Sequence, residues 1–398
     1  MDFDVIIVGG GIVGASLACA LKDTDLNLAI IEPQQPNSAQ AASYDDRGIV
    51  LSYGSQRIFE SIDLWSKLAQ HSTEISDIHV SDRGHFGVTR LSAKDEQVPA
   101  LGQVITACSM GSVLNEALYQ QQNLEFICPN AVVDLTQHDS FVELTLEDMR
   151  TLTAKLIVAA DGAHSTIRQL LGLGALEQDY NQTAVTANIT PERPHHGRAF
   201  ERFTDTGPIA LLPLSKQRCS LVWTMKAGDE AVILNLSDHD FLTQLQDRFG
   251  YRLGRLKQVG NRHSYPLKLI QADQPVQDRI VLIGNAAHNL HPIAGQGFNL
   301  GLRDVAVLAE LLADNIQDSG DPRVLHDYKQ WRQQDQDDVI STTSSLVSIF
   351  SNHNPLLGHT RSVALSIIDA FPPTKHWLAR KSMGLNRKQP RLARGLSL

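Results

Sequence analysis

Short, unbroken apolar runs open the chain. Phe3 to Val8 (FDVIIV) ends in four β-branched residues without alternation, the pattern of a parallel strand covered on both faces. Ile12, Val13, Leu17, Ala20 and Leu21 then recur at helical spacing, with small residues between them. Leu26 to Ile31 makes a second buried strand that ends at Glu32, so a β-α-β unit is predicted within the first 32 residues. Turn-rich polar sequence follows to about Asp46 and reads as a surface loop. Parallel-strand character returns at Leu156–Ala160 and at Ile280–Ile283, the latter followed by a helical pattern over Asn299–Asp314. From about Thr183 to Tyr265, and again over Ile78–Leu91, apolar and polar residues alternate as in antiparallel strands. The last 70 residues read mainly as helix.

These patterns predict an α/β protein with a Rossmann-type nucleotide-binding domain, an inserted antiparallel-sheet domain and a helical C-terminus. The expected limits are 1–75, 105–180 and 275–340 for the nucleotide domain, 76–104 and 181–274 for the inserted sheet, and 341–398 for the helical end. Composition changes this picture little. With 42% hydrophobic and 20% charged residues the chain is ordinary globular material. A net charge of −9 argues against nucleic acid as partner. The four cysteines, Cys19, Cys108, Cys128 and Cys219, form no C-x-x-C pair, so neither a metal site nor a disulfide framework is expected, and a reducing cytoplasm is. There is no secretory pattern at the N-terminus and no apolar run long enough to span a bilayer.

Three motifs carry candidate chemistry. The first is Gly9-x-Gly11-x-x-Gly14 between strand and helix. Gly9 allows the tight turn, Gly11 lets a pyrophosphate approach the backbone, and Gly14 lets helix and strand pack closely. Glu32, 18 residues beyond Gly14, stands where an acid binds a ribose hydroxyl. A glycine turn without ligand explains neither the third glycine nor that acid. The second motif is Asp161-Gly162-Ala163-His164-Ser165-x-x-Arg168, directly after a buried strand; read plainly, it is a turn and a helix capped by Ser165. The third runs from Gly284-Asn285 through His288, His291, Pro292, Gly295, Gly297, Phe298 and Asn299 to Asp304. Its glycine loop opens a helix whose backbone N–H groups can stabilise negative charge. His288 and His291 have a metal-like spacing but no third ligand nearby.

In this order and spacing the three motifs resemble the single-component flavin aromatic hydroxylases of the p-hydroxybenzoate hydroxylase fold, over nearly the whole chain. The segments His79–His85, GRAFERFT (Gly197 to Thr204), CSLVW (Cys219 to Trp223) and HPIAGQGFNLG (His291 to Gly301) bring it closest to the ubiquinone-pathway hydroxylases. The resemblance implies FAD held by Gly9, Gly11, Gly14 and Glu32. It sets Arg47, Asp161, Gly162 and Arg168 near the flavin. Gly284, Asn285, Pro292, Gly295, Gly297, Phe298 and Asn299 then lie along the ribityl chain and ring. It implies reduction by NADPH or NADH, reaction with O2 to a flavin C(4a)-hydroperoxide, and transfer of oxygen to a polyprenylated phenol, with 2-polyprenyl-6-methoxyphenol the leading substrate. A sister hydroxylase acting at another ring position and a non-oxygenating flavin reductase of the same fold remain open, as does an FAD-binding scaffold without catalysis.

Two departures stand out. The family's Gly-Asp is Gly284-Asn285 here, and an amide oxygen accepts the same hydrogen bond without the charge. Gly111 replaces an arginine that often lies near FAD. Pro292, Gly295 and His291 are the expected active-site residues, with His288 and Tyr265 as further lining candidates, and no base for the phenol can be named. The tail His376–Leu398 carries six Lys or Arg and no acid. That composition suits contact with anionic lipid or a biosynthetic partner, and equally a frayed, solvated end. The oligomeric state stays open.

Overall fold

The computed structural model describes residues 1–35, 47–350 and 355–398, with side chains of 355–361 left out. Among the described residues the strands form three sheets. The first has a parallel centre ordered Ile280–Leu282, Thr151–Ala159, Phe3–Val8, Leu28–Ile31 and Leu124–Ile127, with antiparallel strands added at one side and one edge. The strand Phe3–Val8 shows why the run carries no alternation. Val5 and Ile7 pack into a helix-covered core that also takes Leu302, Leu308 and Tyr328, whereas Ile6 and Val8 enter a second core on the other face.

The second sheet has nine strands, antiparallel except where Arg198–Thr204 pairs in parallel with Asp77–Asp82. It takes residues 175–180 and His288–Asn289 beyond the limits expected for the inserted sheet. The reason is that Ala175–Pro191 is one continuous strand, carried through a register shift near Asn181 and paired along most of its length with His263–Ala272. A small third sheet joins Gly48–Ser52, Gly102–Thr106 and Ser72–Ile75. The helical end folds as Pro322–Phe350, Pro355–Ala370 and Pro372–Ser382. No described helix is long and apolar enough to cross a membrane.

The basic tail is not frayed. Arg387 pairs with Asp338, Arg391 with Glu310 and Asp314, and the Arg394 carbonyl accepts from Arg57. Leu392 and Ala393 are buried in the nucleotide-domain core. Two of its cations are therefore paired within the chain and its last turn is buried, which removes the solvated-end reading and weakens the lipid reading for this segment. Ending the chain after Ser382 should lower the melting temperature by several degrees, because that buried turn and its ion pairs go with it. Differential scanning calorimetry gives the comparison, and an unchanged transition contradicts this assignment.

Candidate active site

The glycine turn behaves as its spacing demands. Gly9 has a φ of 103°, and a Cβ there would lie 2.6 Å from the Ala160 carbonyl oxygen. A Cβ on Gly14 would collide with the Gly9 carbonyl, so helix Ile12–Ala20 can close on the strand only without a side chain. Gly11 differs: a Cβ there would meet nothing within 4 Å, and its backbone is extended. Side chains are thus excluded at Gly11 not by the protein but by whatever occupies the space beside it. No side chain caps this helix, so its first N–H groups are available to an anion. Glu32 holds the turn from the far side, accepting from Gly10 N at 2.7 Å and from Gln34 N at 3.0 Å.

Asp161 accepts from Ile167 N at 3.2 Å through one carboxylate oxygen, while the other is buried without a partner. Gly162 has a φ of 86° and open space beside it. Ser165 caps the following helix as expected. Arg168, expected at the cofactor, is spent elsewhere. It is buried and donates to the Ala286 carbonyl at 2.9 Å and to the Ala163 carbonyl at 2.7 Å, clamping the second motif to the third. Arg47 is exposed beside Tyr265, whose hydroxyl is pushed up by burial against the pull of that arginine; the neighbouring acids Asp45 and Asp46 lie outside the described residues. Gly111 faces open space, which leaves room where the family arginine would stand.

The third motif turns on Asp304, which is fully buried. One of its oxygens accepts from Gly284 N at 3.1 Å and pairs with His288 Nε2 at 2.7 Å. The other accepts from Arg332 Nε at 2.7 Å and Gln336 Nε2 at 3.0 Å. Burial alone raises the pKa of such a carboxyl, but the charges and hydrogen bonds of His288 and Arg332 outweigh it and hold the group ionised below its usual range. His288 therefore faces inward to this acid and does not line the cavity that Pro292 and Gly295 share. Asn285 is exposed at the turn.

Asn299 also works inside the fold. Its oxygen accepts from Ser52 N and Ser55 Oγ, and its amide donates to the Val50 and Gly295 carbonyls, which uses every hydrogen-bonding site of the amide group. Phe298 packs partly against the nucleotide-domain core. His291 is fully buried, with Nδ1 accepting from Ile293 N at 3.1 Å and its ring edge-on to Tyr180. Desolvation pulls its pKa down to about 4, so it is neutral and shapes the loop instead of lining the pocket. The expectation of a catalytic role for His291 is corrected on that ground. Pro292 and Gly295 do line a cavity of about 260 Å³. Ala294 and Gly295 both have positive φ, 57° and 60°, and helix Gln296–Ala313 starts from them without a side-chain cap. Gly297 opens onto free space.

Two uncapped helix starts, the open faces at Gly11, Gly162 and Gly297, and an orphaned carboxylate oxygen on Asp161 fit an elongated dinucleotide such as FAD. The reading missed Glu201, which lies in the same cavity as Pro292 and Gly295. Its signal was present: an acid whose neighbours two residues away, Ala199 and Phe203, are apolar.

Gly11→Leu should leave the melting temperature of the flavin-free protein unchanged while abolishing bound-flavin absorbance; a yellow variant would contradict the placement of the pyrophosphate. Gly14→Ala should destabilise the fold itself. Asp304→Ala should cost about 3–5 kcal/mol in denaturant unfolding, the usual loss when one partner of a buried ion pair is removed.

A family model described as FAD binding domain matches residues 2–343. The chain is 36% identical to the ubiquinone hydroxylase UbiL of Rhodospirillum rubrum, over 99% of this chain and 93% of that one. It is 28% identical to the 3-demethoxyubiquinol 3-hydroxylase of Escherichia coli, over 96% and 98% of the two chains. Among solved structures, p-nitrophenol 4-monooxygenase PnpA from Pseudomonas putida superposes with a TM-score of 0.79 at 19% identity, covering 97% of this chain and 99% of that one, and so shares the fold. With that match over most of its length and those relatives over nearly all of it, this chain belongs to the FAD-dependent aromatic hydroxylases of ubiquinone biosynthesis.

Proposed function

We propose that the enzyme hydroxylates the ring of 2-polyprenyl-6-methoxyphenol, using NADPH or NADH to reduce its FAD. The observation that carries this reading is the apolar cavity that ends on the Pro292–Gly295 loop. One wall is the nine-stranded sheet; the other is made by the C-terminal helices through Leu346, Phe350, Leu365 and Leu378. FAD, when bound, supplies the redox and oxygen-activating chemistry. The chain binds the phenol, orients its ring and keeps water away. The Thr224 hydroxyl, buried at the cavity wall without a partner, suits a hydrogen bond to a ring oxygen.

At about 260 Å³ the cavity lies below the range of roughly 300–1,000 Å³ common for ligand pockets. It has the size of a substituted ring, not of a ring with its whole prenyl chain, so the chain must leave it. Beside the helical wall, Val363, Ile367 and Phe371 recur every four residues on one stripe and are each more than half exposed. This stripe, and not the basic tail, is the surface proposed to meet a bilayer holding the prenyl chain.

Two outcomes check these statements. Incubation with a short-chain 2-prenyl-6-methoxyphenol under labelled O2 should give one product with one labelled oxygen, and mass spectrometry with NMR fixes its position. Hydroxylation at the carbon used by the Escherichia coli relative would assign the sister reaction instead. Ile367→Asp with Phe371→Asp should reduce co-sedimentation with anionic liposomes at least several-fold, while removal of the tail alone should not. Equal sedimentation by all three proteins would remove the stripe from the membrane.

A further inference from the structure

An acid has no structural reason to stand in the wall of this cavity. Glu201 sits in mid-strand on Arg198–Thr204 and is flanked in register by Ala210 on one neighbouring strand and Val80 on the other. The row continues to Val222 and Thr89, and all five residues line the cavity. Along its own strand the same face carries Ala199 and Phe203. Of the charged neighbours on these strands, Arg198, Arg202, His79 and Arg90 alternate to the opposite face, whereas Asp82, paired with Phe203, shares the face of Glu201 but lies beyond the cavity lining. No other ionisable residue lines the cavity among the described residues, whether from the sheet, from the 292–295 loop or from the three C-terminal helices.

Burying a carboxyl among apolar side chains is costly, and a leucine or glutamine would fill the same volume at less expense. The fold keeps the acid and gives it one partner: the Ala294 backbone N–H, presented by a loop residue held at a φ of 57°. Glu201 is thereby tied to the turn that starts the glycine helix, the segment expected to face the flavin ring.

We infer that Glu201 is the group that accepts the phenolic proton of the substrate during hydroxylation. The inference rests on the hydroxylase reading above. The proton passes from the ring hydroxyl to a Glu201 carboxylate oxygen, and the electron pair left on the phenolic oxygen raises electron density at the ortho and para carbons. A carbon–oxygen bond forms at one of them. The hydrogen displaced there leaves as a proton when the ring regains aromaticity, and the proton on Glu201 returns to the phenolic oxygen. One atom of O2 enters the ring and the other leaves as water, with both electrons drawn from the nicotinamide; Glu201 changes only its proton. Its acidity suits the role. Desolvation pushes the carboxyl up to about 7, against the Ala294 hydrogen bond, which pulls it down. A base there is far closer to a phenol near 10 than an ordinary carboxylate near 4.

The test compares flavin-loaded wild type with Glu201→Gln, which keeps the side-chain volume and an acceptor for Ala294. Flavin affinity and anaerobic reduction by NADPH should stay within about twofold. Product formation from the prenylated methoxyphenol should fall roughly 100-fold or more, the usual span for a lost general base. The wild-type rate should rise through a pH near 7, and that step should vanish in the variant. A ring-fluorinated, more acidic phenol should recover part of the loss. Binding of 2-methoxyphenol, read from the flavin spectrum without turnover, should tighten several-fold between pH 6 and 8 in wild type only. A variant that keeps both the rate and the pH steps overturns the inference while the hydroxylase reading stands. A wild type that turns over no methoxyphenol yet shows the Glu201-dependent binding step ends the substrate reading but supports Glu201 as the acceptor of a phenolic proton.

Discussion

The buried carboxylate of Asp304 is the point on which both ligand regions depend. Through four contacts it fixes the Gly284 turn, the His288 strand, and two positions of the long helix Pro322–Phe350. Arg332 and Arg303 reach from it and its neighbourhood to Asp335, so two guanidinium groups and two carboxylates offset one another in a largely buried region. Such a group is tolerable only when every hydrogen-bonding position is filled. Filling them aligns the glycine helix with the strand that feeds it. A few residues upstream, Asn299 carries the same alignment to the strand Gly48–Ser52 and the Gly295 turn. The cofactor face and the substrate face therefore share one polar skeleton, made of side chains bonded to one another and to the backbone.

The parts of the fold that rest on local patterns were legible in the sequence. A strand buried on both faces has no alternation, and Phe3–Val8 has none; the glycines at 9 and 14 are forced by contacts with residues only a few positions away or directly opposite. What escaped was every role fixed by a distant carbonyl or carboxylate. Arg168 and Asn299 stand inside recognised motifs, yet their partners are backbone oxygens that no sequence pattern marks. Asp304 closed the third motif, but Arg332 and Gln336 lie a helix away. The tail looked free because it holds no acid of its own; its counter-charges stand on the helix Pro322–Phe350 and at the end of the helix Gln296–Ala313.

Glu201 was a different kind of omission. Its neighbours at two-residue spacing are apolar, which is enough to mark an acid pointing into an apolar layer. The strand pattern was recognised while its single violation was passed over. In a protein whose remaining choices agree with one another, such a violation is where function is to be sought. The opposite face of the same strands carries Arg198, Arg202, His79 and Arg90, so among the described residues Glu201 is the one ionisable group that lines the cavity.

The helices that complete the cavity come from the end of the chain. Both large sheets are finished by residue 289 and the glycine helix by residue 313, whereas the second wall of the cavity is supplied by residues 346–382. During synthesis both large sheets are thus made while the substrate face is still an uncovered apolar trough, and the Leu392–Ala393 turn that finishes the nucleotide-domain core comes last. Closing it requires the final helices to leave the ribosome, cross the sheet and be locked by the Arg387 and Arg391 pairs. A nascent chain stalled before that point would present to the cell a body with a greasy open side, the form that chaperones and proteases are built to detect.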